Sequence, residues 1–190
     1  KPNPVPFRIQ SITDALQAEF MPLAIEKGLR FEVENGCDAV VVGDKKRILQ
    51  IGANLLSNAV KFTSQGKITL RTDFSGGVLS LEVEDTGTGI SEEEQMRIFT
   101  AFERLPNAVT VEGVGLGLAI VKGLAELLGG KIKLNSRLEK GTCFTFLLPL
   151  SLAEEMPMES GEKISRVLPF TVLALDNDEV LLAMMKEMFI

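Results

Sequence analysis

A chain of 190 residues, 45% hydrophobic and 24% charged, is long enough for one globular domain and the beginning of a second. It contains no histidine, which excludes imidazole bases, nucleophile–histidine pairs and histidine-bound metals within these residues. A formal net charge of −6 argues against a nucleic-acid partner, and no apolar run approaches the roughly 18 residues that cross a bilayer, so we expect no membrane contact by this fragment.

The first part of the chain predicts two helices with a strand between them. Apolar residues recur at helical spacing over 11–27, and Pro22 lies within that pattern, where it removes one backbone hydrogen bond. Apolar and charged residues alternate over 29–34, which predicts a strand. Asp44 is a good N-cap for a second, longer helix over 45–62.

A β-hairpin and a capped helix are predicted next. Two strands, over 67–74 and 78–84, are joined by a pair of glycines that favours a tight turn. Ser91 and Glu94 stand in the register of a capping box, in which each side chain bonds to the backbone of the other residue. We expect the helix that begins there to reach about Arg104.

An apolar helix and a final pair of strands complete the predicted unit. The helix covers 116–128 and ends at two consecutive glycines. Strands are predicted over 131–136 and 142–148. Pro149 then closes the unit, since a proline cannot donate to a strand ladder.

Three polar residues of the predicted helix 45–62 share one face. At 100° per residue, Asn54, Asn58 and Lys61 fall within about 60° of one another. A carboxamide oxygen suits a hard cation such as Mg²⁺, and a lysine ammonium suits a phosphate. For this segment taken alone, a solvated helix face is an equally good interpretation.

Two glycine-rich turns stand further along the chain. The first, Asp85-Thr86-Gly87-Thr88-Gly89, directly follows a strand, where the carboxylate can accept from an exocyclic amine and glycines let the backbone approach a flat ring. The second, Gly113-Val114-Gly115-Leu116-Gly117, opens a helix, where exposed N–H groups and the helix dipole favour an anion. The second turn matches neither the dinucleotide-binding fingerprint nor a Walker A loop. An ordinary strand-to-helix turn and a flexible loop remain the alternatives.

The order of these features resembles the N, G1, F, G2 and G3 boxes of sensor histidine kinases over about 7–150. The boxes correspond, in order, to Asn58 and Lys61, Asp85-x-Gly87-x-Gly89, Phe99 and Phe102, Gly113-x-Gly115-x-Gly117, and Gly141-Thr142. The resemblance implies an α+β fold, the two-layer α/β sandwich of Bergerat (GHKL) ATP-binding domains, with a mixed sheet packed on three helices. It also implies ATP and Mg²⁺ as cofactors.

On the phosphate side, the resemblance implies a set of polar contacts. Asn58 would coordinate Mg²⁺, Asn54 would line the same phosphates one turn earlier, and Lys61 would lie beside them. Arg104 would reach the γ-phosphate from the start of a nucleotide lid. The lid itself would be hinged by three glycines, whose N–H groups face the phosphates: Gly113, Gly115 and Gly117.

On the adenine side, the resemblance implies recognition of the exocyclic amine. Asp85 would accept a hydrogen bond from that amino group, and Gly87 and Gly89 would give the ring room. Thr142 would support the base through water. Phe99 and Phe102 would pack against the lid.

The family reaction transfers the γ-phosphoryl group of ATP to a histidine, and this chain has none. We therefore expect the acceptor on a dimerisation domain outside this chain, with a receiver domain or response regulator as a further partner. ATP hydrolases and serine-protein kinases of the same fold are alternatives, but they carry a glutamate four residues before the metal asparagine, where this chain has Asn54. An amide cannot act as a general base. A nucleotide-binding module without catalysis is the third possibility.

The chain divides into three predicted parts. Residues 1–150 form the ATP-binding catalytic domain, 151–169 an acidic linker, and 170–190 the truncated start of a receiver domain. An apolar strand ending in Asp176 resembles the first strand of receivers, although Asn177 replaces a second acid that usually helps to bind Mg²⁺. Both cysteines lack a zinc or disulfide pattern, so we expect a reducing, cytoplasmic setting, and anchoring of the parent protein in the inner membrane stays open.

Overall fold

The computed structural model describes residues 1–100 and 116–153. Their elements in chain order are β1 Val5–Arg8, α1 Gln10–Glu26, β2 Arg30–Asn35, β3 Val40–Gly43, α2 Lys45–Phe62, β4 Lys67–Ser75, β5 Val78–Asp85, α3 Glu92–Gln95, α4 Gly117–Leu128, β6 Lys131–Arg137, β7 Gly141–Pro149 and β8 Ser151–Leu152. The predicted N-cap of α2 is confirmed, because the Asp44 carboxylate accepts from the backbone N–H of Arg47 at 3.1 Å. Pro22 lies inside α1 as predicted.

The main sheet has five strands in the order β2-β4-β5-β7-β6. Only the β2–β4 pair is parallel, and the three other pairs are antiparallel, so the sheet is mixed as predicted. The hairpin prediction is confirmed by the pairing of β4 with β5, which closes at Ser75 and Val78. A second, three-stranded antiparallel sheet, β1-β3-β8, was not predicted.

Three helices cover one face of the main sheet. Alternate residues of β5, and of β7 from Thr142 onwards, are buried, which is the period-two pattern of a sheet with one face in the core. Helix α1 packs against β2, α2 against β5, and α4 against β6 and β7. The predicted α+β architecture, a mixed sheet packed on three helices, is therefore confirmed.

Helices α1 and α2 approach each other closely at Gly52. A Cβ atom built on Gly52 would lie 2.6 Å from Leu16 Cδ1, which is closer than real Cβ contacts come. Both residues are buried, Leu16 with 1% of its surface exposed. Gly52 lowers the helix propensity of α2, but its missing side chain lets α1 and α2 pack this closely.

The helix predicted from Ser91 to about Arg104 is much shorter in the structure. The capping box is present, because Ser91 Oγ accepts from Glu94 N and the Glu94 carboxylate accepts from Ser91 N. Helix α3 nevertheless ends at Gln95 and buries no residue, so packing does not extend it. Turns follow, and Phe99 packs edge-on against Phe144 with ring centroids 6.4 Å apart. Residues 101–104 lie outside the described part of the chain.

The described fold continues past the predicted boundary at 150. Ser151 and Leu152 form strand β8 against β3, so the first two residues of the predicted linker belong to the folded unit. The rest of that linker, from 154, and the predicted receiver start over 170–190 lie outside the described residues. Among the helices that are described, none combines the length and apolar character needed to cross a membrane.

Candidate functional site

Helix α2 presents its amide side chains along one edge of its buried face. Leu55, Leu56 and Ala59 are buried, while Asn54 and Asn58 are only partly buried. Asn54 Nδ2 donates to the carbonyl oxygen of Gln50, one turn earlier, at 2.8 Å. This bond fixes the amide orientation, so that Asn54 Oδ1 remains available to accept from, or coordinate, another group.

The first residue of α4 stands directly opposite this amide face. A Cβ atom built on Gly117 would lie 3.2 Å from Asn54 Oδ1 and 4.0 Å from both amide heteroatoms of Asn58. The N-cap residue Leu116 makes no side-chain hydrogen bond to the helix. The structure therefore brings Asn54, Asn58 and Gly117 together, as the sequence predicts, at the positive end of a helix dipole.

Lys61 is on the last turn of α2, with its Nζ 5.3 Å from the centroid of the Phe62 ring. A lysine in the last turn of a helix also interacts favourably with the helix dipole. The side chain is half-buried, at the end of α2 that contacts the loop after Asp85.

Asp85 forms the buried acidic part of the site. It is the last residue of β5, with 8% of its surface exposed. Its Oδ1 accepts from the backbone N–H of Gly87 at 2.8 Å, and the carboxyl also accepts from the backbone of Thr142. Burial raises the pKa of Asp85 from 3.8 to about 6, against the opposing effect of these two hydrogen bonds. At neutral pH the carboxylate is a desolvated acceptor.

The glycines after Asp85 are required mainly by neighbouring protein backbone. A Cβ atom at Gly87 would lie 2.5 Å from the Phe62 carbonyl oxygen and 2.9 Å from Asp85 Oδ1. Gly89 has a φ of +67°, and its Cβ would collide with the carbonyl oxygen of Arg137. Gly87 thus keeps the carboxyl of Asp85 accessible, whereas Gly89 allows close packing on the β6–β7 hairpin.

Thr142 lies opposite Asp85 in the β5–β7 pair and is buried. Its hydroxyl is 2.9 Å from Ser136 Oγ, which also donates to the Gly141 carbonyl and accepts from the backbone N–H of Ile90. Sequence reasoning missed Ser136. The signal lay in the hairpin register, because Ser136 pairs with Thr142 on neighbouring strands.

The C-terminus of α2 contacts the loop that follows Asp85. The carbonyl oxygen of Phe62 accepts from Thr88 N at 3.4 Å and contacts the space beside Gly87. The other predicted site residues fall outside the described residues, so the structure does not place them: Phe102, Arg104, Gly113 and Gly115.

Acidic and sulfur ligands do not form a metal cluster in the described ranges, where no group of three or more such side chains could hold an ion. A shallow groove on the exposed side of α1, lined by residues that include Asp14, Met21 and Ile25, contains none of the predicted site residues.

Comparison with known families agrees with this geometry. Residues 43–152 match the family model described as histidine kinase-, DNA gyrase B- and HSP90-like ATPases. The range extends from the end of β3 to β8 and contains every site residue described above.

Relatives with similar sequences carry the names of sensor kinases. The chain is 36% identical over 165 residues to the sensor histidine kinase RcsC of Escherichia coli K12, covering 85% of this chain and 17% of RcsC. It is 39% identical over 158 residues to the circadian input-output histidine kinase CikA of Synechococcus elongatus, covering 82% of this chain and 21% of CikA. The chain thus spans only about a fifth of the length of these relatives.

Solved structures show the same fold. Full-length ShkA in complex with AMPPNP aligns with a TM-score of 0.73 at 32% identity, over 80% of this chain and 32% of ShkA. The nucleotide-free catalytic domain of the histidine kinase ThkA aligns with a TM-score of 0.68 at 27% identity, over 77% of this chain and 97% of that domain.

Proposed function

This chain belongs to the family of histidine kinase-, DNA gyrase B- and HSP90-like ATPases, and on that premise we propose that it is the ATP-binding catalytic module of a sensor histidine kinase. The module would transfer the γ-phosphoryl group of ATP to a histidine on a dimerisation domain outside this chain. One observation carries the proposal: α2 faces the start of α4 with two amides and contacts the Asp85 loop with its C-terminus.

The adenine side of the site suits a purine with an exocyclic amine. The buried carboxylate of Asp85 already accepts from Gly87 N, and its remaining lone pairs can accept from the amino group of adenine. A guanine would present a carbonyl oxygen to the same carboxylate, which is repulsive. The Thr142 hydroxyl, held by the Ser136 hydroxyl at 2.9 Å, keeps lone pairs that can accept from a water against the base.

The phosphate side suits a magnesium polyphosphate. Asn54 and Asn58 offer neutral oxygen ligands of the kind that Mg²⁺ accepts, and the missing Cβ at Gly117 leaves space beside them. Bound Mg²⁺ would neutralise charge on the phosphates. Lys61 would bind phosphate oxygens through its ammonium group, and the first N–H groups of α4 would donate to them. Phosphoryl transfer depends mainly on such positioning and charge neutralisation.

Asn54 also argues against the hydrolase alternative. Its Nδ2 donates to Gln50, and an amide cannot remove a proton from water. An imidazole acceptor is itself nucleophilic and needs less activation. We therefore propose a histidine acceptor rather than water, with a receiver domain as the next partner.

We place this activity in the cytoplasm, where ATP is available and thiols remain reduced. Cys37 and Cys143 are both free thiols, which is typical of that compartment.

Isothermal calorimetry of the full 190-residue chain tests the proposal. We expect saturable binding of AMPPNP with Mg²⁺, and much weaker binding of GMPPNP, because the guanine carbonyl would face Asp85. We also expect negligible ATP hydrolysis by the chain alone, and phosphoryl transfer when the histidine-containing domain of its parent protein is supplied. Absence of heat with AMPPNP, or rapid ATP turnover without an acceptor, would contradict the proposal.

A further inference from the structure

Lys27 connects the end of α1 to the end of α2. Its Nζ donates to the carbonyl oxygens of Val60 at 2.6 Å, Lys61 at 3.0 Å and Thr63 at 3.1 Å. An ammonium group has three N–H donors, so these contacts saturate it. The side chain crosses from one helix to another over 33 to 36 positions in sequence.

These contacts complete the hydrogen bonding of the last turn of α2. The last four carbonyls of a helix have no partner within it. In α2, the Ala59 carbonyl accepts from Thr63 N, those of Val60 and Lys61 accept from Lys27, and that of Phe62 accepts from Thr88 N. Two of the four carbonyls are therefore bonded by one lysine at the C-cap of α1, and one is bonded by the loop after Asp85.

The turn that Lys27 caps is the turn that joins the two halves of the site. It carries Lys61, and the Phe62 carbonyl at its end contacts Gly87, which in turn donates to Asp85. Without the cap, two carbonyls would lose their partners and the last turn would fray. Fraying would displace the Lys61 ammonium and the support of the Asp85 loop together.

We propose that Lys27 is a positioning residue for nucleotide binding, which holds the last turn of α2 so that Lys61 and the Asp85 loop are correctly placed. The inference rests on the proposed ATP-binding function. Lys27 itself would touch neither the nucleotide nor the metal. As the C-cap residue of α1, it would let the end of this helix contribute to affinity without supplying a ligand-binding group.

Calorimetric titration with AMPPNP and Mg²⁺ tests this role in four forms of the full chain: wild type, Lys27→Met, Lys27→Arg and Lys46→Met. Titrations are run well below the unfolding midpoint of every form, so that all are fully folded. We expect Lys27→Met to weaken binding about fivefold to tenfold, since charge-assisted bonds to carbonyls are lost. Lys27→Arg, which keeps several N–H donors, should restore most of the affinity. Lys46 is an exposed lysine in the first turn of α2, at the end of that helix away from Lys27, and serves as the control.

Other outcomes separate the hypotheses. An unchanged affinity of folded Lys27→Met, with or without a lower unfolding midpoint, would overturn the inference and leave Lys27 as a structural cap only. If Lys27→Met does not fold, Lys27→Gln replaces it, since its amide retains N–H donors, and it should bind more weakly than Lys27→Arg. Equal affinities of those two variants would also overturn the inference. Absence of binding by both the wild type and Lys46→Met would instead contradict the proposed function.

Discussion

Asp85 destabilises the nucleotide-free protein at neutral pH. Burial raises its pKa from 3.8 to about 6, so the folded state holds a proton more tightly than the unfolded chain does. The stabilising effect of the neutral carboxyl is complete below about pH 4 and is lost as pH rises through about 6. A buried ionised carboxylate is therefore retained against stability, as expected of a group that serves a ligand.

Replacing Asp85 by asparagine should separate stability from binding. At about pH 8, we expect the free energy of unfolding of Asp85→Asn to exceed that of the wild type by about 1–3 kcal/mol, because the buried charge is removed. The difference should shrink towards about pH 4, where both side chains are neutral. Urea denaturation across this pH range measures the effect.

The same variant should bind AMPPNP at least about tenfold more weakly, since an amide that keeps the Gly87 bond turns its NH₂ group towards the adenine amine. Calorimetry at about pH 8 measures this loss. Lower stability at high pH, or an unchanged affinity, would contradict the assigned role of Asp85.

At the level of elements, the packing of α1 on α2 depends on the absence of a side chain at Gly52. The nearest neighbour of an added Cβ is the end of the Leu16 side chain, at 2.6 Å, which is fully enclosed. A glycine inside a helix costs about 1 kcal/mol relative to alanine. Overpacking of a core costs about 1–3 kcal/mol, and this larger effect should prevail.

Gly52→Ala should therefore lower the free energy of unfolding, by about 1 kcal/mol after the gain in helix propensity is included. Gly123→Ala is the matched control, because Gly123 lies inside α4 and a Cβ there would meet no atom within 4 Å. This variant should gain up to about 1 kcal/mol. Thermal unfolding of both variants gives the comparison, and stabilisation by Gly52→Ala would show that Leu16 yields without cost.

Sequence patterns predicted the elements that are long and periodic. Helices α1, α2 and α4 and the strand pair β4–β5 follow from spacing and turn residues. Strands β1, β3 and β8 have four, four and two residues, and they form only by pairing with distant segments, so local pattern could not reveal them. Lys27 was missed for a related reason, since its carbonyl partners lie more than thirty positions away.

In the candidate site too, the sequence predicts the residues that depend on a local pattern and misses those that depend on contacts between distant segments. Shared helix-face geometry predicted the grouping of Asn54 with Asn58, and the glycine turn predicted the place of Asp85. Ser136 depends on strand register, which no local pattern contains. The role of Gly89 also depends on a neighbour, because the backbone of Arg137 fills the space beside it.

For the molecule as a whole, the second sheet extends the folded unit beyond the predicted boundary at 150. Leu150 N donates to the Gly77 carbonyl and Ala153 N to that of Val40, on either side of the short strand β8. The residues just after the predicted boundary at 150 thus tie the C-terminus of the unit to β3. Domain boundaries set from composition alone omit such a strand.

Two truncations test the extent of this unit. A chain ending at Ala153 should retain the affinity of the full chain for AMPPNP, because every described site residue is kept. A chain ending at Leu150 should unfold at a lower temperature, by several degrees, since it loses the β3–β8 hydrogen bonds, worth about 1 kcal/mol. Equal midpoints for the two truncations would mean that β8 adds nothing to stability.

In the proposed site, helix α2, 18 residues long, sets the distance between the groups that would bind the two ends of a nucleotide. Its amides and the Phe62 carbonyl belong to one rigid rod, so their separation follows from helical rise and is independent of the length of the segment between α3 and α4. Changes in the length of that segment would therefore leave the distance from the amides to the Phe62 carbonyl unaltered. One residue inserted in α2 before Asn54, by contrast, would rotate both amides about 100° around the axis relative to the first turns of the helix, away from Gly117.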